Sequence, residues 1–346
     1  MSHELRAVEW TGTSLSLIDQ TALPGTLRRL DIRDVESLID AVVRLAVRGA
    51  PAIGAAGAYG VALAVAQAGR ENWTDGRLAD AVARLRAARP TAVNLAVCVD
   101  RVAARIPEGR DAVLAEADAI LRQDLAANRA MAEAGADWLV ERVAADRPLR
   151  ILTHCNTGAL ATAGIGTALG VIRELHGRGL VETVYVDETR PLLQGARLTA
   201  WELAQEGIPH RVQADAAAAA TVVGGLVDAA VVGADRITRN GDTANKTGTL
   251  GVALACAHAG LPFMVAAPSD TIDLATATGA SIPIEQRGEE EVLNLIGGGI
   301  TAPDGTRTRA HNPAFDVTPG TLVTALVSER GVLEVAAGQL PGDHWD

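Results

Sequence analysis

The sequence predicts an α/β protein, in which a mainly helical amino-terminal domain with a small β meander precedes a doubly wound, mostly parallel sheet. Two observations support this fold class. In the second half of the chain, short apolar runs and helical stretches alternate every ~20 to 35 residues, as in repeated βαβ units. The predicted strands are almost continuously apolar, which is typical of strands in a sheet covered by helices on both faces.

The sequence of the amino-terminal domain predicts short strands followed by helices. Val8-Glu9-Trp10 and the stretch 15–19 are expected to form strands of the meander. Helical spacing of apolar residues begins at Val35. Further helices are expected at 55–68, 78–88 and 111–144. We place the domain boundary at Asp146-Arg147-Pro148, which gives domains at 1–146 and 147–346.

The second domain predicts a Rossmann-like order of strands and helices. The expected strands are 150–153, 183–186, 210–212, 229–232 and 262–266. The expected helices between them are 159–178, 198–206, 216–226 and 248–259. In such a sheet the carboxyl ends of the parallel strands lie at one edge, where ligands bind.

Composition narrows the function classes. The 346 residues include 42 acidic and 31 basic ones, a net charge of −11, which argues against nucleic acid or anionic membrane partners but allows a small phosphorylated ligand. We see neither an apolar run of about 18 residues nor a secretion signal. Three scattered cysteines do not form a disulfide framework, and the His and Cys residues lack metal-site spacing. We therefore expect a cytoplasmic small-molecule enzyme without a metal or cofactor.

The most informative stretch is 151–158, where an apolar run ends at Cys155 and a glycine-containing turn leads into the predicted helix at Ala159. Cys155 is then expected at the carboxyl end of a strand, beside a helix amino terminus whose N–H groups favour a thiolate or a phosphate. The alternative is a small, unreactive core cysteine.

Three further polar segments indicate a site. Gln194 lies in a polar link after the second strand of the sheet, and Asp235 and Asn245-Lys246 follow the fourth. Because parallel strands end at one edge, these residues and Cys155 are expected to face a common crevice. Asp235 could instead cap a turn. The segment 48–54 opens a helix in the first domain. Neither a Walker sequence nor a strand-linked GxGxxG is present, so a nucleotide is not favoured.

Six segments together resemble the methylthioribose-1-phosphate isomerase family, which is related to ribose-1,5-bisphosphate isomerases and to regulatory subunits of the translation-initiation guanine-nucleotide exchange factor. They are RGAPAIG (48–54), RPTAVNL (89–95), THCNTGALAT (153–162), ETRPLLQGARLTA (188–200), GADRI…NGDTANKTGT (233–249) and NPAFDVTP (312–319).

The resemblance implies the isomerisation of 5-methylthioribose 1-phosphate to 5-methylthioribulose 1-phosphate in methionine salvage, by a homodimer. It implies that Cys155 and Asp235 are the catalytic pair. It also implies that the phosphate and sugar are held by Arg48, Gly49, Ala50, Arg89, Gln194, Asn245 and Lys246. Arginine grips phosphate oxygens in a bidentate manner, and lysine adds a compact charge.

The implied chemistry requires an acid and a base. Because a phosphate blocks the anomeric oxygen, ring opening needs an acid, expected to be Asp235 with a pKa raised by burial. Cys155 as thiolate would move a proton from C2 to C1; a hydride shift beside a polarising Cys155 is the alternative.

Departures from the family pattern at Thr157, Thr247 and Asp270 concern substrate preference. Isomerisation of ribose 1,5-bisphosphate or 5-deoxyribose 1-phosphate is the nearest alternative. A non-catalytic regulatory subunit is disfavoured by the presence of both Cys155 and Asp235.

Overall fold

The computed structural model describes residues 5–89, 93–294 and 308–345, which form two compact units. The first unit comprises Met1–Ala130 with Thr157–Gly170, and the second comprises Met131–Asn156 with Val171–Asp346. The predicted boundary at Asp146-Arg147-Pro148 falls inside the second unit and stays a prediction about domain limits. The first four residues, on which the absence of a secretion signal was argued, lie outside the described residues.

The first unit contains the expected meander and helices. Its three strands pair antiparallel in the order β1-β2-β3, and they are β1 (Val8–Trp10), β2 (Leu15–Ile18) and β3 (Arg29–Ile32). Its helices are α1 (Val35–Val43), α2 (Ala50–Glu71), α3 (Asp75–Arg86), α4 (Val93–Ala103) and the Arg110–Ala130 part of α5 (Arg110–Val143). The sequence did not predict α4, because its valines have low helix propensity and packing against α2 outweighs that preference.

Helix α2 is the buried centre of the first unit. In the described part of the chain it is the one helix long and apolar enough to cross a membrane, contrary to the expectation that no such run exists, but 78% of its apolar window is buried. A core helix of a water-soluble fold passes the same test. A Cβ at Gly57 would lie 2.5 Å from Leu95 Cδ1, so the small residues of α2 allow α4 to approach closely.

The second unit contains a seven-stranded sheet in the order β14-β13-β10-β7-β4-β5-β6. Its pairs are parallel except β13 with β14, so the predicted doubly wound sheet is confirmed. The elements of this part of the chain are β4 (Leu149–Thr153), α6 (Ala168–Gly177), β5 (Val181–Asp187), α7 (Ala200–Gln205), β6 (His210–Gln213), α8 (Ala218–Val223), β7 (Ala229–Val232), β8 (Arg236–Thr238), β9 (Thr243–Lys246), α9 (Thr249–Ala259), β10 (Phe263–Ala266), β11 (Ile272–Asp273), α10 (Glu290–Leu293), β12 (Phe315–Thr318), β13 (Ala325–Ser328), β14 (Gly331–Leu333) and α11 (Pro341–His344).

The order of the strands places a topological switch point between β4 and β7. From β4 the chain runs outward through β5 to β6, and then returns to β7 and runs outward through β10 to β13 on the other side. In open α/β sheets the ligand crevice lies at the carboxyl ends of the two strands that flank such a point. Those ends lead to Cys155 and Asp235, so both residues lie where a ligand is expected to bind.

Helices cover both faces of the sheet. On one face, Leu152, Ala230 and Phe263 pack in one cluster with residues of α8 and α9. On the other face, a Cβ at Gly135 of α5 would lie 2.7 Å from Val171 of α6 and 3.4 Å from the sulfur of Met264. The strands alternate between the two helical layers, which explains their near-continuous apolar sequence.

The predicted helix at 159–178 is wrong in its first half. Helix α6 begins only at Ala168, and the chain before it is a series of turns. Gly166 has a φ of +91°, and a Cβ there would lie 2.6 Å from Gly158 Cα, so the two glycines close a compact loop that a helix cannot form. No helix amino terminus therefore follows Cys155 directly, and the expectation that helix N–H groups lie beside its thiol is wrong.

The second unit also contains a small sheet that the sequence did not predict. Its order is β11-β8-β9-β12, with β8 and β9 forming an antiparallel hairpin after β7. Asp235 precedes this hairpin, and Asn245 and Lys246 lie on its second strand. The polar segment after β7 is therefore a hairpin rather than a link from a strand to a helix.

Candidate active site

Cys155 lies two residues beyond the end of β4, in a buried and unusual backbone conformation. Its exposed fraction is 5% and its φ is +66°, the left-handed region that residues other than glycine rarely adopt. The Cys155 N–H donates to Thr189 Oγ1 at 2.9 Å, and Thr199 Oγ1 donates to the Cys155 carbonyl at 2.6 Å. Two threonines thus fix the cysteine backbone on both sides, as is typical where strain is kept at a functional site.

Gln194 has a buried polar atom that a ligand could satisfy. The residue lies in the link after β5 and is 5% exposed. Its Oε1 has no hydrogen-bond partner within 5–89, 93–294 and 308–345. A buried acceptor without a partner costs about 1–3 kcal/mol, and a sugar hydroxyl that donates to it would remove that cost.

Asp235 lies at the predicted edge of the sheet, but the expectation that it is buried is wrong. It follows β7 by three residues and is exposed. Its N–H donates to the Ala244 carbonyl at 2.9 Å, which fixes its backbone to the β8–β9 hairpin. Apolar walls of this chain therefore do not enclose the carboxyl group.

Asn245 and Lys246 are held by β12, the strand formed by the NPAFDVTP segment. Lys246 pairs with Phe315 and Asn245 with Asp316 across the antiparallel register. The Lys246 ammonium donates to the Ala314 carbonyl at 2.8 Å and lies 4.3 Å from the centre of the Phe315 ring. The Asn245 amide nitrogen donates to Thr249 Oγ1 at 2.9 Å. These contacts fix both residues before any ligand arrives.

Asp316 stabilises the start of α9, directly after Lys246. Its carboxylate accepts the N–H of Gly248 at 2.7 Å and that of Leu250 at 3.2 Å. Burial raises the pKa of Asp316, while these amides and the charges of His154 and Lys246 act in the opposite direction. A carboxylate at a helix amino terminus is a favourable arrangement.

His154 and Asp187 form a buried pair beside Cys155 that sequence reasoning missed. His154 Nδ1 lies 3.0 Å from Asp187 Oδ2, and His154 Nε2 lies 3.0 Å from the Thr247 carbonyl. Burial by itself lowers the pKa of His154, but Asp187 outweighs it and the pKa is raised. Asp215 lies close enough to complete a set of metal-ligand types. Because both imidazole nitrogens are already engaged, that cluster is not ready to ligate a metal.

The other predicted binding residues belong to the first unit. Gly49 has a φ of +91° at the start of α2, and a Cβ there would lie 2.5 Å from Ala161 Cα, so only glycine fits. Ala50 is the first residue of α2, and Arg48 and Arg89 are half-buried. Residues 90–92 of the RPTAVNL segment lie outside the described residues. The structure places Cys155, Gln194, Asp235, Asn245 and Lys246 in loops and strands of the second unit.

A doubly wound sheet with polar side chains after both strands of its switch point defines a small-ligand α/β protein. Residues 46–335 match the Initiation factor 2 subunit family, and the chain belongs to this family.

Two curated relatives are similar over nearly the whole chain. A probable bifunctional methylthioribose-1-phosphate isomerase/methylthioribulose-1-phosphate dehydratase from Nocardia farcinica is 54% identical over 97% of this chain, which spans 60% of that longer protein. A methylthioribose-1-phosphate isomerase from Gloeobacter violaceus is 51% identical, with 97% of each chain covered.

Two solved structures have the same fold. The 5-methylthioribose 1-phosphate isomerase from Pyrococcus horikoshii is 40% identical, with a TM-score of 0.85 over 95% of this chain and 92% of that one. The translation initiation factor eIF-2B subunit delta from A. fulgidus is 41% identical, with a TM-score of 0.83 over 95% of this chain and 96% of that one. The fold alone therefore does not separate an isomerase from an initiation-factor subunit.

Proposed function

We propose that the protein is an aldose–ketose isomerase that converts 5-methylthioribose 1-phosphate to 5-methylthioribulose 1-phosphate in methionine salvage. The observation that most supports an isomerase is the position of Cys155 and Asp235. They follow the two strands that flank the switch point of the sheet. An acid and a thiol in these positions suit sugar isomerisation and have no use in a scaffold. Two relatives named methylthioribose-1-phosphate isomerase are 51% identical to this chain, with at least 94% of each chain covered. We place the enzyme in the cytoplasm as a homodimer.

The proposed reaction begins with ring opening. The Asp235 carboxyl group donates its proton to the ring oxygen as the bond from C1 to that oxygen breaks. The Cys155 thiolate then removes the proton from C2, which gives an enol phosphate, and returns that proton to C1. The 2-hydroxyl proton goes back to Asp235 as the C2 carbonyl forms, so both groups end in their starting states.

The remaining residues are proposed to bind the substrate. In the second unit, Lys246 and Asn245 supply a charge and an amide, and the unpaired Oε1 of Gln194 accepts from a sugar hydroxyl. In the first unit, Arg48, Gly49, Ala50 and Arg89 stay proposed ligand-binding residues. Gly49 and Ala50 offer backbone N–H groups at the start of a long helix, which suits a phosphate.

The proposal is tested with the purified protein and three substrates: 5-methylthioribose 1-phosphate, 5-deoxyribose 1-phosphate and ribose 1,5-bisphosphate. We expect the first to be converted best. Cys155→Ser and Asp235→Asn should each lower kcat by ~10²- to 10⁴-fold, the usual contribution of one acid or base. Cys256→Ser is the matched thiol control, because burial raises the pKa of Cys256 to about 12 and no thiolate forms there near neutral pH.

Two results would contradict the proposal. Undiminished activity in both Cys155→Ser and Asp235→Asn would eliminate the assigned chemistry. No turnover of any of the three sugar phosphates would favour a regulatory subunit. In deuterium oxide, solvent deuterium at C1 of the product supports proton transfer by Cys155, because the proton on the thiol can exchange with solvent before it is returned. Complete retention of the C2 hydrogen counts against that proton route.

A further inference from the structure

The buried His154–Asp187 pair has a geometry that the isomerase proposal does not use. The His154 and Asp187 side chains are 0% and 1% exposed, so neither reaches solvent. The pair connects the ends of β4 and β5 with the stretch after β9. We propose that His154 is held doubly protonated and acts as a positioning residue, which ties the Cys155 strand end to the Lys246–Gly248 stretch. The kinetic part of this inference rests on the proposed function.

The hydrogen-bond partners determine where the protons lie. The Thr247 carbonyl can only accept, so His154 Nε2 must bear a hydrogen. Asp187 accepts the Gln213 amide N–H on its other oxygen at 2.8 Å, and the Gln213 amide oxygen accepts from Thr221 at 2.7 Å. Asp187 Oδ1 is thus an acceptor, and in the proposed state Oδ2 also accepts, from the hydrogen on His154 Nδ1.

The charged groups around the ring favour the second proton. Asp187 lies on β5, Asp215 in the turn before α8, and Asp316 on β12, and each interacts electrostatically with His154. The Lys246 ammonium on β9 is the opposing cation near Asp316. Burial opposes protonation, and the net pKa is raised because the carboxylates outweigh it.

The ring fixes the chain directly after the proposed substrate-binding residues. Gly248 has a φ of +114°, and a Cβ there would lie 2.6 Å from His154 Cε1, so its backbone lies too close to the imidazole for any larger residue. The same glycine donates its N–H to Asp316. Thr247 and Gly248 are thus held from two sides, and Lys246 is set by them. A displacement of about 1 Å at such a site costs ~100-fold in rate.

The protonation state is measured on the parent protein by NMR with ¹⁵N-labelled histidine, without any substrate. The His154 signals are assigned by their loss in His154→Gln. We expect the second ring proton to be retained to a higher pH than in an unperturbed histidine, since Asp187 raises the pKa of His154. In Asp187→Asn the second proton should be lost at a lower pH than in the parent, because burial is then opposed only by the more distant Asp215 and Asp316 and by the Thr247 hydrogen bond. A parent ring with one bare nitrogen at pH 7 would overturn the assignment.

The positioning role is measured by kinetics with 5-methylthioribose 1-phosphate. His154→Gln should lower kcat/KM ~100-fold, while His258→Gln, at an exposed position of α9, should leave it unchanged. Parental kcat/KM in His154→Gln would overturn the positioning role. If the parent converts no sugar phosphate, the proposed function fails, and the NMR result still decides the protonation state.

Discussion

Each of the two units contains a buried carboxylate paired with a cation, and the two pairs differ in the exposure of the cation. Asp19 in the first unit is completely buried, yet its partners Arg28 and Arg44 are 56% and 35% exposed. Asp187 in the second unit is paired with a histidine as buried as itself. A cation at the surface keeps most of its hydration, whereas each charge of a fully buried pair is stabilised mainly by the other charge. We infer that the first pair serves stability and the second serves the site.

The largest difference is expected on removing the buried carboxylates themselves. Asp187→Ala removes the carboxylate that contacts His154, so that the ring either loses a proton or keeps a buried charge that only more distant carboxylates offset. Breaking such a buried pair costs about 3–5 kcal/mol. Urea unfolding should show this loss in the free energy of unfolding, together with lower activity. Asp19→Ala is the matched control, because its arginines can turn to solvent; an equal loss in both variants would remove the distinction between the pairs.

Asp19 should control acid stability without affecting catalysis. Hydrogen bonds from Thr21, Arg28 and Arg44 outweigh desolvation and lower the pKa of Asp19 from 3.8 to about 2. Because solvent screens the partly exposed Arg28 and Arg44, this gap is worth at most about 2 kcal/mol. Because the folded pKa is depressed, the stabilisation is present above about pH 4 and is lost as the pH falls to about 2.

Asp19→Asn should therefore lower the free energy of unfolding by at most about 2 kcal/mol at pH 7, and the difference from the parent should become small near pH 2. Unfolding by urea across this range measures the difference. Its kcat should match the parent value, since the residue lies outside the proposed chemistry. A stability gap that persists unchanged at pH 2 would show that ionisation is not the cause.

Local patterns in the sequence predicted the sheet and the place of Cys155 in it. Apolar runs mark the strands whatever their partners, so the strand end before Cys155 was visible. The loop after it was not, because its alanines favour a helix locally and only the approach of Gly166 to Gly158 excludes one. The burial expected for Asp235 also failed, since a hairpin rather than a helix follows it.

The His154–Asp187 pair could have been found from the register of two adjacent strands. Thr153 pairs with Val186 in the parallel sheet, so the residues that follow each of them become neighbours. Two ionisable residues that each lie one position beyond a pair of strand-end residues therefore indicate that their side chains lie side by side. The register itself depends on tertiary pairing, which the sequence of either strand does not specify.

The smallest loss of stability is expected on removing an uncharged hydrogen bond beside Cys155. This variant tests whether the structure around Cys155 depends on charged groups alone. Thr199→Val removes the hydroxyl that donates to the Cys155 carbonyl at 2.6 Å. The loss should be about 1 kcal/mol in stability, because the contact is uncharged. Activity should fall by more than the small loss of stability suggests, since Cys155 then loses one of the two hydrogen bonds that hold its left-handed backbone. Thr199→Ser, which restores the hydroxyl, should recover kcat; if the serine variant is as slow as the valine variant, the threonine acts by packing and not by fixing the Cys155 backbone.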